Sequence, residues 1–82
     1  MSAEPYVSIA CAFHESLEFA VLRRIPLHLC YRDMTGEHEI QVLPTDVATR
    51  EGAEWLSYVG PQGNAGVVRL DRIVKAEPIT AA

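Results

Sequence analysis

The chain has 82 residues, of which 49% are hydrophobic and 22% charged, values that suit one globular domain and argue against disorder. Eleven Asp and Glu outnumber seven Lys and Arg, for a formal net charge of −4, which disfavours a general nucleic-acid binder because neutralising phosphates takes clustered cations. No apolar run approaches the roughly 18 residues of a membrane span, and Met1-Ser-Ala-Glu4-Pro5 lacks the basic start and apolar stretch of a signal peptide, so a cytoplasmic protein is expected.

Residues 1–5 read as a loose tail, and 6–11 as a short extended segment in which Val7 and Ile9 alternate with Ser8 and Ala10. A helix is expected over 13–23. Glu15 and Glu18 lie toward its N-terminus and Arg23 and Arg24 at its C-terminus, as the helix dipole favours, and Pro26 ends it. Phe13, Leu17, Ala20, Val21 and Arg24 share one face at helical spacing. Phe19 and Leu22 fall on the other side, beside Glu15 and Glu18. A surface helix needs only one apolar face, so this second strip is either gripped by the rest of the chain or offered to a partner. Burial is the first expectation, since small folds often wrap a terminal helix with a tail.

After Pro26 the period switches to two. Leu27, Leu29 and Tyr31 alternate with His28, Cys30 and Arg32, the pattern of a half-buried strand. Asp33-Met-Thr-Gly36 is a turn, and 37–42 continue as a second strand with His38, Ile40 and Val42 on one face, so an antiparallel hairpin is expected. Pro44 should interrupt or bend the pairing. A short strand over 46–50, a turn at Glu51-Gly52 and a strand over 55–59 follow. Gly60-Pro-Gln-Gly-Asn64 is a loop, 67–76 carry the last pairing, and 78–82 read as tail. One helix followed by about five short strands implies an α+β, mainly β fold: a helix on a small, strongly bent antiparallel sheet or partly open barrel, all within a single domain spanning 1–82.

Chemistry-bearing residues form no catalytic set. Ser8, Ser16 and Ser57 lack a nucleophile-elbow setting, no glycine-rich phosphate loop is present, and no enzyme activity or cofactor is expected. Cys11 and Cys30 lack the CxxC spacing of zinc sites and read as small, reduced packing groups. His14, His28 and His38 lie on different elements; His28 and His38 could face one another across the hairpin, but the sequence nominates no third ligand, so no metal site is expected. Glu37 and Glu39 read as a solvated strand face. Trp55 is expected in the core. In Arg69-Leu-Asp-Arg-Ile73, Leu70 or Ile73 packs inward while Asp71 links to Arg69, Arg72 or Arg50.

Taken together, Tyr6-Val-Ser-Ile9-Ala-Cys11, Leu17-Glu18-Phe19-Ala20, Leu29-Cys30-Tyr31-Arg32-Asp33, the run from Asp46 to Leu56 and Arg69-Leu-Asp-Arg-Ile73 stand in an order and spacing that resembles the Rof family of small bacterial proteins. The resemblance spans roughly residues 6–77. It implies an N-terminal helix on a bent, Sm-like sheet, and a non-catalytic antiterminator that binds the transcription terminator Rho near its RNA-binding surface and hinders RNA loading. Carboxylates meeting the cations that otherwise hold phosphates would make that competition physically sensible. The resemblance points to Glu15 and Glu18 as partner contacts, with Phe19 and Leu22 as apolar anchors. The segment between Cys11 and Leu17 departs from the family's acidic, tyrosine-bearing pattern: Ala12 replaces an acid and His14 takes the aromatic position.

Two other readings compete. The run from Leu29 through Pro44 to Arg72-Ile73 also resembles the WYL domains of bacterial regulators, which implies a module for RNA or a small ligand with a basic groove formed by Arg32, Arg50, Arg69 and Arg72. An oligomerising interaction protein would instead expose a strand edge or a helix face to another copy.

Overall fold

The computed structural model describes residues 11–79. The tail over 1–5 and most of the extended segment over 6–11 therefore lie outside the described residues, as do 80–82. Helix α1 runs Cys11–Arg23 and buries Leu17 and Ala20. It stops where the backbone of Arg24 turns left-handed, with φ of 55°. The amide of Ile25 donates to Ala20 O at 2.9 Å and that of Arg24 to Val21 O at 3.3 Å. These are the two bonds of a Schellman cap, which satisfies carbonyls that the helix end would orphan. Arg24 is thus an exposed cap residue rather than a member of the inward face. No helix among the described residues is long and apolar enough to cross a membrane.

Five strands follow: β1 (Leu27–Asp33), β2 (Gly36–Arg50), β3 (Ala53–Val59), β4 (Ala65–Arg69) and β5 (Ile73–Pro78). The hairpin of β1 and β2 forms as expected, with Leu29 opposite Ile40 and Tyr31 opposite His38. The two strands expected over 37–42 and 46–50 are one, because Pro44 bends the strand without ending it. β2 pairs with β1 up to Val42 and with β3 from Leu43, and its register shifts between Pro44 and Asp46. A proline removes one ladder donor, and here it sits buried at that handover.

The last expected pairing is two strands. Val68 and Leu70 face inward, but a 3-10 turn at Leu70–Arg72 separates β4 from β5. The strand order is β4-β3-β2-β1-β5, so these consecutive strands occupy opposite edges of the sheet. A three-residue 3-10 turn spans only about 6 Å, and the sheet must therefore curl until its edges approach. The result is an α+β, mainly β fold, with α1 packed on a strongly bent antiparallel sheet. Pro78 and Ile79, expected in the C-terminal tail, are tied down: Pro78 pairs with Leu27, and the Ile79 amide donates to Pro26 O at 2.9 Å.

The core lies between α1 and the concave side of this sheet, where Leu17, Leu29, Leu56 and Leu70 are essentially fully buried. Arg69 locks the corner at the 3-10 turn. Its Nε donates to Asp71 Oδ1 at 2.7 Å and its Nη2 to Asp71 Oδ2 at 2.9 Å, a bidentate fork largely shielded from water. Beside it, Tyr58 lies across from Gly66. A methyl group on Gly66 would come within 2.7 Å of the phenol ring carbon Cζ, so this position is glycine because the ring occupies its space.

Candidate partner-binding face

The inward face of α1 is short, because a helix of 13 residues on so small a sheet has room to bury little more than Leu17 and Ala20. Its outer face is left uncovered. Phe19 is 52% exposed and Leu22 78%, so the expectation that the second apolar strip is gripped by the chain does not hold among the described residues. The Arg23 guanidinium lies 5.3 Å from the centroid of the Phe19 ring and covers part of it. Glu15 and Glu18 are exposed on the same side.

The shoulders of the helix are grooves. One, of about 460 Å³, is bordered by Glu15, Phe19, Ile25, Leu27, Ala76 and Pro78. The other, of about 300 Å³, is bordered by Glu18, Val21, Leu22, Asp46 and Val47. Each groove sets a carboxylate beside an exposed apolar side chain: Glu15 with Phe19, and Glu18 with Leu22. All four expected contact residues are thus brought onto one face. The sequence did not indicate Ile25, Ala76, Pro78 or Asp46. Ile25 reaches the groove through the helix cap, whereas Ala76, Pro78 and Asp46 do so only through the pairing of β1 with β5 and the bend in β2, which no local pattern announces.

His14 bridges the helix to the sheet. Its Nε2 lies 3.1 Å from Glu54 Oε2 on β3, and its Nδ1 3.5 Å from Glu18 Oε1. The imidazole clips α1 to the sheet and orients Glu18 at the rim of the second groove.

Of the arginines expected to form a basic groove, Arg32 and Arg50 stand by opposite ends of β2, Arg69 lies across from Trp55 on the β3–β4 ladder, and Arg72 ends the 3-10 turn. Arg32 is opposite Glu37 at one end of β2 and pairs with it at 2.6 Å. Arg50 stands at the far end of that 15-residue strand, with its guanidinium 5.9 Å from the Trp55 ring centroid. Arg69 is held by Asp71. Trp55 is half-buried rather than core; its indole N–H donates to Arg50 O at 3.3 Å, and it borders a groove of about 480 Å³ with Arg50, Glu51 and Val67. One exposed cation beside one aromatic is a weak platform for a nucleic-acid strand.

The three histidines are also separated. His38 stacks on Tyr31, with ring centroids 5.1 Å apart, and its Nε2 lies 2.9 Å from Asp33 Oδ1. His28 is opposite Gln41 and pairs with Glu39 at 3.1 Å, so His28 and His38 do not face one another. The same Asp33 oxygen accepts bonds from the Thr35 hydroxyl at 2.7 Å and the Thr35 amide at 2.8 Å. These bonds, the hydroxyl's first, hold the Asp33 carboxyl at about 2 instead of 3.8. The cluster closes the hairpin turn.

No protein-family model matches the chain, and no curated protein matches it either. Among solved structures it is similar to proteasome accessory factor B/C (PafBC) of Arthrobacter aurescens, with a TM-score of 0.78 and 20% identity over 99% of this chain. The chain spans 13% of the length of that protein. At this identity the likeness concerns the fold.

Proposed function

We propose that this chain is a non-catalytic, WYL-like binding module that docks a protein partner through the outer face of α1. The matched stretch of proteasome accessory factor B/C is a WYL domain, which agrees with the likeness of the run from Leu29 to Ile73 to such domains. The observation that carries the docking reading is the exposure of Phe19 (52%) and Leu22 (78%), each beside a carboxylate and a groove. Burying such side chains fully is worth roughly 1.5–3 kcal/mol apiece, so the pair can anchor a partner while Glu15 and Glu18 select a basic one. With Arg32, Arg69 and Arg50 engaged by Glu37, Asp71 and Trp55, the domain is less suited to hold a nucleic acid itself.

The resemblance to the Rof family favours one such basic partner, the RNA-binding surface of Rho. The specific observation in its favour is that Glu15 and Glu18, the two acids kept from the family pattern, both stand exposed on α1. Titration into purified Rho carrying a fluorescent cytosine-rich RNA, followed by anisotropy, tests both levels. Displacement of RNA that weakens with salt and with Glu15→Ala plus Glu18→Ala supports Rho as the partner. Neither displacement nor binding to Rho removes Rho and leaves the partner to be sought among other basic proteins. Direct binding of the RNA by this domain, insensitive to Phe19→Ala plus Leu22→Ala, overturns the protein-docking reading.

A further inference from the structure

The convex side of the sheet, away from α1, carries a second constellation. His28 and Cys30 are two apart on β1 and therefore share the side opposite the buried Leu27 and Leu29. Register then adds a third group, since Glu39 on β2 stands directly opposite Cys30. His28 Nε2 lies 3.1 Å from Glu39 Oε1, and the His28, Cys30 and Glu39 ligand atoms all lie within 4.8 Å of one another. A tetrahedral zinc ion with bonds of about 2.0–2.3 Å needs its ligand atoms roughly 3.3–3.8 Å apart. Modest side-chain rotation therefore closes the set around an ion.

We infer that His28, Cys30 and Glu39 form a binding site for a zinc-class divalent cation on the convex face of the β1–β2 hairpin. An imidazole nitrogen, a thiolate and a carboxylate oxygen suit zinc and its borderline neighbours; magnesium and calcium prefer all-oxygen sets. Two of the ligands project from β1, which is hydrogen-bonded on both sides, by β2 and β5. A rigid central strand fixes their separation better than a loop would. Binding releases the Cys30 thiol proton to solvent and places the cation between two groups that now pair directly. Across the other edge of β1, Lys75 stands opposite Cys30 and Glu77 opposite His28. Lys75 is paired with Glu77 at 3.5 Å, which offsets its repulsion of an ion. Three protein ligands leave a fourth position for water. The sequence hides this site because its spacing is i, i+2 on one strand plus a cross-strand partner, unlike the loop-borne CxxC of common zinc modules. The site is separate from the α1 face, and its existence does not depend on the proposed docking.

The experiment is a cobalt(II) titration of the full, reduced, metal-free chain, followed by zinc competition. The expected result is one equivalent bound with a thiolate-to-cobalt charge-transfer band and tetrahedral visible absorption, both bleached by zinc. Cys30→Ser should abolish the charge-transfer band and Cys11→Ser should leave it intact. Glu39→Ala should lose about tenfold or more in zinc affinity, since even outer-shell partners are worth that much. No thiolate band in the wild-type chain overturns the assignment. So does a band that survives Cys30→Ser and disappears with Cys11→Ser. Circular dichroism on each variant separates loss of a ligand from loss of the fold.

Discussion

Asp33 shows how a single exposed carboxyl can be tuned by local geometry. Three donors converge on one of its oxygens, and the folded carboxyl titrates at about 2 instead of 3.8. Because the folded value lies below the unfolded one, its contribution to stability is fully present above about 3.8 and is lost as the pH falls toward 2. Carboxyl-resolved NMR titration should find Asp33 among the last carboxyls to protonate. Thr35→Ala, which removes the largest cause, should move its midpoint upward; an unmoved midpoint would show that the hydroxyl is not responsible. Gly66 makes the complementary case of a residue defined by what it lacks. Gly66→Ala forces a methyl group against the Tyr58 ring and should cost about 1–3 kcal/mol in a urea melt. The cost should shrink in a Tyr58→Leu background, where the obstructing ring is gone. Tyr58 itself is shifted upward, first by burial and then by Tyr31. Its contribution is therefore present below the ordinary tyrosine range and is lost as the pH rises through the raised folded value.

Helix α1 is the element on which stability and the proposed docking divide. Leu17 is 1% exposed and Leu22 is 78% exposed, although both are leucines on the same 13-residue helix. Leu17→Ala should cost about 2–5 kcal/mol, as buried leucines do. Leu22→Ala should change stability by about 0.5 kcal/mol or less while weakening partner binding. If Leu22→Ala were instead as damaging as Leu17→Ala in thermal melts, the outer face would be part of the core and the docking proposal would fall. The helix also shows why an apolar strip does not reveal its own environment. Phe19 and Leu22 have the same periodicity whether a tail or a partner covers them, and only their position relative to the sheet distinguishes the cases.

The whole molecule depends on closing a five-stranded sheet through one short turn. Arg69 and Asp71 flank that turn's first residue, Leu70, and their fork is mostly hidden from water. Asp71→Ala removes the bidentate partner of the Arg69 guanidinium, and losing hydrogen bonds to a charged group typically costs about 1.5–3 kcal/mol. That is a large share of the roughly 5–15 kcal/mol available to a small domain. Equilibrium unfolding should therefore show a markedly lowered midpoint. Arg69→Lys should recover only part of the loss incurred by Arg69→Ala, because an ammonium cannot form the fork. Full recovery would mean that charge alone, without the planar geometry, holds the corner.

Composition and periodicity were enough to establish a mainly β fold with one helix, the helix stopped before Pro26, the hairpin around Gly36, and the placement of Glu15, Glu18, Phe19 and Leu22 on a common side. These features follow from short-range rules: helical and strand periods, proline sterics and turn chemistry act over a few neighbouring residues. Tertiary structure decided what those rules do not reach. It made β2 continuous through Pro44, carried β5 to the edge opposite β4, left Trp55 half-buried, and engaged Arg32 and Arg69 with Glu37 and Asp71. It also set Glu39 opposite Cys30 and beside His28, and among the described residues it left Phe19 and Leu22 exposed. Each outcome depends on strand register and sheet curvature, which are settled by contacts between residues far apart in the chain.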